Sequence, residues 1–220
     1  ADQRSLPGCT GPGVPCEVGD NPLTEADDPF TCQNKLIGGR TFLDTYALAQ
    51  GEYMYPDTAR DPGGHGTHTA STSAGNIVND AQTLGPLLDI QGVAPGARII
   101  EYRVCGGPAG CYGSDSTAAV EQAVLDGVDV INFSISGGTS PLTDPVELAF
   151  LDAYNAGIFV ATSGGNDGPG AGTVNHLSPW TTTVAASTQT REFASDVTLT
   201  ADNGDSLTMS GATITAGAGP

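Results

Sequence analysis

Two histidines three residues apart, His65 and His68, follow the glycine-rich turn Asp61-Pro62-Gly63-Gly64 in the stretch HGTHTAS. On a helix that spacing sets both imidazoles on one face. Three readings are open: a pair of zinc ligands, one general base, or two helix residues without a chemical role. Zinc requires a third protein ligand and a second shell that orients the rings; His176 or Asp61 would serve only if the fold happened to carry them there. A general base requires less, since histidine titrates near neutrality and the turn delivers His65 to the exposed start of a helix. Gly66, Ala70, Ser71 and Ser73 are small enough for neighbouring backbone to approach, which suits a mobile base better than a metal cage.

Two further stretches pass from an apolar run into a polar, glycine-rich turn: DVINFSISGG from Asp129 to Gly138, and IFVATSGGNDGPG from Ile158 to Gly170. Taken with HGTHTAS, they resemble the subtilisin-like serine proteases. The first stretch resembles that family's histidine box, and Ser163 to Gly170 its oxyanion segment. Asp129 to Gly138 resembles the strand and turn that carry substrate backbone and wall the specificity pocket, with Ser136 inserted before the glycines. Val93-Ala94-Pro95 before Arg98-Ile99-Ile100, the turn Gly110 to Asp115, and TVNHLSPW from Thr173 to Trp180 resemble the branch with an inserted protease-associated domain. The likeness runs from about Phe30 to Ser187.

The resemblance implies hydrolysis of peptide bonds by acyl transfer, with His65 taking the proton of a serine nucleophile. Asn166 is implied as a donor to the tetrahedral oxyanion. Ser134, Ile135, Ser136, Gly137, Gly164 and Gly165 are implied as the substrate-binding residues. His68 is expected to pack beneath its helix and to bond a neighbour, and His176 to do the same. Asp61 reads as a turn residue whose role is open. A subtilisin-like triad also needs an Asp-Thr/Ser-Gly turn and a Gly-Thr-Ser-Met-Ala box, and the chain has neither. Asp44-Thr45-Tyr46 and Asp57-Thr58-Ala59 lack the glycine; Gly138-Thr139-Ser140 is followed by Pro141 and precedes Asn166.

The expectation is therefore a middle segment of a secreted serine endopeptidase, inactive by itself, whose partners are peptide or protein substrates and the remaining segments of the same precursor. The alternative is a catalytically inactive, subtilase-derived binding or structural protein. No cofactor and no metal site are expected. Calcium is compatible with so acidic a chain, but its Asp residues are scattered and form no dense ligand loop.

The elements that must hold these residues follow an alternation of apolar runs and helical periods. Leu36 to Phe42, Ala97 to Val104, Val128 to Ile135, Ile158 to Thr162 and Thr182 to Ala186 read as strands buried on both faces. One helix starts near Ser114 or Asp115 and stops at Gly127. Another has Asp144 as cap, Pro145 at its first position, Glu147 as capping-box partner and Val146, Ala149, Phe150 and Ala153 as its buried stripe, ending at Gly157. This predicts an α/β fold, a three-layer parallel-sheet subtilisin-like catalytic domain that is incomplete. Residues 1–35 read as a loop-rich, disulfide-bearing segment, 36–190 as the core, and 191–220 as a β-rich transition toward an inserted domain. In that last part Val197 to Thr200 and Leu207 to Met209 predict a hairpin about an Asn203-Gly204 or Gly204-Asp205 turn.

Composition limits the partners. A formal charge of -18, with Lys35 as the single lysine, repels phosphate backbones and anionic membrane surfaces, so neither nucleic acid nor membrane is expected. No apolar run approaches the ~18–20 residues of a membrane span, and the start Ala1-Asp2-Gln3 reads as a processed or excised soluble segment. Five cysteines, three of them in the first 32 residues, fit an oxidising compartment. Cys105 and Cys111 flank a flexible turn that can close a small disulfide loop, and Cys16 pairs with Cys32, leaving Cys9 over.

Overall fold

A computed structural model describes residue 16 and residues 32–51, 58–82, 87–107, 110–188, 190 and 194–212. In chain order these form β1 (Leu36–Thr41), α1 (Asp44–Gln50), α2 (His65–Ala74), β2 (Val78–Gln82), β3 (Leu87–Ile90), β4 (Ile99–Arg103) and β5 (Cys105–Gly107). There follow β6 (Gly110–Cys111), α3 (Gly113–Asp126), β7 (Val130–Phe133), α4 (Pro145–Asn155), β8 (Phe159–Ser163), β9 (Thr182–Val184), β10 (Ala194–Thr200) and β11 (Ser206–Ala212). The five strands predicted for the sheet are all present and pair in parallel, β1 with β4 and β7-β8-β9 in that order. The predicted hairpin is β10 with β11, closed around Asn203-Gly204, with Gly204 at φ 90°. Neither α1 nor the β2–β3 hairpin was foreseen, because Asp44–Gln50 is too short for a helical period to stand out and Val78–Ile90 is interrupted by polar residues.

The core lies where α3 and α4 cover the β7-β8-β9 sheet. Val120 of α3, Val146, Ala149, Phe150 and Ala153 of α4, and Ile158 and Val160 at β8 form one buried cluster. Phe133 closes it, edge-on to Phe150 at 5.1 Å between ring centroids. Burial of each Val, Ile or Phe side chain in it stabilises the fold by about 1.5–3 kcal/mol. The expectation that the strands are buried on both faces is corrected for β7, β8 and β9, where Val130, Phe159 and Val184 are 57%, 53% and 57% exposed; β1 and β4 contain no exposed residue. The helices cover one face only, and an apolar run does not say which of its faces will be covered.

Helix ends follow their local chemistry only in part. Asp144 accepts hydrogen bonds from the Val146 and Glu147 amides, at 2.8 and 3.3 Å, and Pro145 opens α4. Glu147, expected to complete a capping box, instead turns inward and is fully buried. Leu43 cannot cap α1; the buried Asp115 of α3 does so from outside, accepting from the Thr45 and Tyr46 amides at 2.9 and 3.0 Å.

The β1–β4 pair is tied to α3 by Asp126. Its carboxylate takes a two-pronged bond from Arg40, at 2.9 and 2.8 Å, and further donors from the Tyr102 hydroxyl at 2.7 Å and Gln122 at 2.9 Å. Burial opposes ionisation of Asp126, but these donors and the Arg40 charge outweigh it and hold the carboxyl below its ordinary value. Disulfides join Cys16 to Cys32 and Cys105 to Cys111, as expected; Cys9 lies outside the described residues. The second bridge closes β5 on β6 over Tyr46, whose ring leaves no space for a Cβ at Gly106.

One titration should report on β4. Burial pushes the Glu101 carboxyl up from 4.5 to about 8, the Asp61 charge adds in the same direction, and Arg103 opposes both. Between those values the folded chain holds a proton that the unfolded chain has released. The associated stability is full below about pH 4.5 and is lost as pH rises toward 8. The urea midpoint of Glu101→Gln, relative to the parent, is expected to climb across this interval; a constant difference would contradict the assignment.

Candidate active site

The start of α2 is built by Asp61. Gly64, at φ 81°, precedes the first helical residue and has no side chain to cap with. Asp61 supplies the missing acceptor: Oδ1 takes the Gly63 and Gly64 amides at 3.0 and 2.9 Å, and Oδ2 takes the Thr67 amide at 2.7 Å. Partial burial works against its ionisation, but the Thr67, Gly64 and Gly63 donors prevail and lower the carboxyl's pKa. The residue whose role was open in the sequence is thus the effective cap of the helix.

This cap places His65 at the first helical position, exposed, where its ring makes no hydrogen bond among the described residues. The expectation for His68 is corrected: it too is exposed. The small residues of α2 leave its first turns uncovered and only Ala74 is buried. The anticipated close approach of backbone occurs at the far end of the helix. There the Gly92, Val93 and Ala94 amides donate to the Gly75, Thr72 and Ser73 carbonyls at 3.1, 2.9 and 2.8 Å. Among the described residues no cluster of three or more His, Cys, Asp or Glu side chains is set to hold a metal ion, so His65 and His68 gain no third ligand there.

The other predicted residues sit at the ends of β7 and β8. These neighbours are parallel, with Phe133 opposite Thr162, so the turns that follow them leave the sheet at the same edge. Ser134, Ile135, Ser136 and Gly137 follow β7; Gly164, Gly165 and Asn166 follow β8. The structure joins the two turns through Asn175 of the TVNHLSPW stretch, a residue given no role from sequence. Buried Asn175 accepts the Gly137 amide on Oδ1 at 2.8 Å, donates its own amide to the Gly164 carbonyl at 3.2 Å, and bonds the Thr173 carbonyl through Nδ2 at 3.2 Å. Gly164 donates to the Val184 carbonyl at 2.7 Å, and Gly165, at φ 82°, packs so close to Asn175 that a Cβ would lie 2.7 Å from Nδ2. Asn166 stands exposed on the turn that this packing fixes.

His176 is buried and bonded, as expected. Its amide donates to the Gly137 carbonyl at 3.0 Å, and its Nε2 faces the Ile135 carbonyl at 2.7 Å. Its Nδ1 meets Glu147 Oε1 at 2.5 Å, Ser178 donates to Oε2, and Trp180 Nε1 donates to the Glu147 carbonyl at 2.8 Å. Asn175, Glu147 and Ser178 are the residues that sequence reasoning missed. Asn175, His176 and Ser178 within TVNHLSPW were the available sign, but their partners lie about 30 to 40 residues away and nothing local names them.

The geometry agrees with comparisons of sequence. The profile of the subtilase family matches residues 28–218. Subtilisin-like protease SBT1.5 of Arabidopsis thaliana is 43% identical over 227 residues, covering 99% of this chain and 28% of its own length. Subtilisin-like protease SBT1.6 of the same plant is 43% identical over 201 residues, covering 86% of the chain and 25% of its own length. A third relative, Subtilisin-like protease SBT4.15, is 42% identical over 89% of the chain and 24% of its own length. The chain thus spans about a quarter of the length of these relatives. With parallel strands, covering helices and a family match across nearly its whole length, the chain belongs to the subtilase family and has its subtilisin-like α/β fold.

Proposed function

We propose that this chain is the part of a secreted serine endopeptidase that carries the general base and the oxyanion donor, acting on peptide or protein substrates. The observation that carries the reading is the clamp at the ends of β7 and β8. Asn175 holds the turn with Ser134, Ile135, Ser136 and Gly137 against the turn with Gly164, Gly165 and Asn166. In parallel α/β sheets, the carboxyl ends of the strands are where ligands bind.

In this reading Ser134 to Gly137 carries the substrate backbone and Gly164-Gly165 forms its opposite border. Asn166, free of other bonds among the described residues, donates through its side-chain amide to the oxyanion. His65 takes the hydroxyl proton of a serine from outside these 220 residues and returns it to the leaving amine; an aspartate, also from outside, orients the ring. No cofactor enters these steps. Secretion is supported by the two disulfides, which persist in oxidising compartments.

A fluorophosphonate applied to the full-length protein, followed by peptide mapping, should modify a serine beyond this chain. An adduct on Ser140, or none, would sink the assignment, and the second outcome would favour a binding protein of the same family. Replacing Asn166 by Ala in the full-length protein should lower kcat by roughly 10²–10³-fold with KM little changed, a magnitude taken from subtilisin itself. By itself the 220-residue chain should cleave no peptide above a His65→Ala control, since removing triad members leaves only residual catalysis; His65-dependent cleavage would show the nucleophile to be within it.

A further inference from the structure

We infer that Glu147 and His176 are positioning residues for peptide binding, forming a buried brace that fixes the Ile135 to Gly138 segment against α4. This rests on the proposed role of that segment as the carrier of substrate backbone.

The hydrogen-bond inventory shows why the pair is specific. The Ile135 carbonyl only accepts, so Nε2 of His176 must carry a hydrogen. Nδ1 faces a carboxylate oxygen 2.5 Å away, so a second hydrogen must lie between Nδ1 and Oε1 of Glu147; without it two lone pairs would oppose each other. Ser178 satisfies the other carboxylate oxygen. The imidazole is held edge-on by Phe133 and Phe150, with ring centroids at 5.6 and 6.0 Å, so it cannot swing aside. A carboxyl and an imidazole taken wholly out of water are tolerated only when each polar atom is paired, and here each is.

The brace grips its segment twice. The ring holds the Ile135 carbonyl, while the backbone amide of the same histidine holds the Gly137 carbonyl and that of Leu177 the Gly138 carbonyl. To do both, His176 adopts φ 51°, a conformation uncommon for a residue with a side chain. Gly138 lies so near Glu147 and His176 that a Cβ there would overlap both. The other end of the brace is rigid, since Glu147 sits in the first turn of α4 between the Asp144 cap and the buried Phe150. The position of the Ile135 carbonyl is thereby set by a helix and not by the flexibility of a serine- and glycine-rich loop.

The test uses the full-length protein, with active sites counted by fluorophosphonate, kcat and KM measured on an extended peptide, and the fluorophosphonate acylation rate as a probe that needs no extended backbone contact. His176→Leu and Glu147→Leu should raise KM about tenfold or more while the acylation rate stays within about twofold. Glu147→Gln should stay close to the parent in both. Its amide can donate to Nδ1 and accept from Ser178, leaving Nε2 to donate to Ile135. If the leucine variants do not fold, His176→Gln keeps a donor for the Ile135 carbonyl without its full support and should raise KM by a smaller factor. A parent that does not label sinks the peptidase reading and this inference with it. A parent that labels, with variants that leave KM unchanged or lower kcat and acylation together, overturns the brace alone.

Discussion

A carboxylate with no access to water must find a partner for each of its oxygens, and much of the geometry around the candidate active site follows from that requirement at Glu147. The residue is fully buried in the first turn of α4, and its partners, His176 and Ser178, come from a loop with no regular secondary structure. Satisfying the carboxylate draws that loop against the helix, and the Trp180 indole bonded to the Glu147 carbonyl holds its far end. The loop in turn carries Asn175, which joins the turn after β7 to the turn after β8. One buried carboxyl group thus organises three segments. Polar networks of this kind are expensive when incomplete and specify a single arrangement when complete.

A second buried carboxylate performs a comparable task elsewhere. Asp115 supplies acceptors for the amide end of α1, and Asp126, one helix length further, receives Arg40 from β1 and Tyr102 from β4. Both ends of α3 therefore attach by charge-assisted hydrogen bonds to the β1–β4 half of the chain. Its apolar stripe packs on α4 and the β7-β8-β9 half. In a chain with seven lysines and arginines against 25 carboxylates, most acids must face water or find backbone amides. Asp61, Asp115 and Asp144 all take the second course at helix starts, where the dipole favours negative charge.

The legible parts of the fold were those with a local cause. The apolar stripe of α4 gave its buried face residue by residue, and Gly127, at φ 72°, marked the end of α3. The strands were visible as apolar runs, but their covered face was not, because a short run such as VINF is apolar at positions that end up on opposite sides of the sheet. His68 was misjudged for a related reason. Being polar and one turn from His65 says nothing about whether another element will cover that face of α2. Within the site, the glycine-rich turns and Asn166 stood out by motif, whereas Asn175 and Glu147 did not.

The sequence by itself determined the family, the five parallel strands and the helices α3 and α4 in their order, the glycines that permit positive φ, and the two disulfide pairings among the described residues. Most of these rest on interactions within a few residues or on motifs read in order, and the disulfides on cysteines no more than 16 residues apart. Only the tertiary structure decided that Glu147 faces inward rather than capping its own helix and that Asn175 joins the turns after β7 and β8. The physical reason is sequence separation. The bonds from His176 to Glu147 and Ile135 span 29 and 41 residues, and a buried polar group chooses its partner only when the fold has removed water as the alternative.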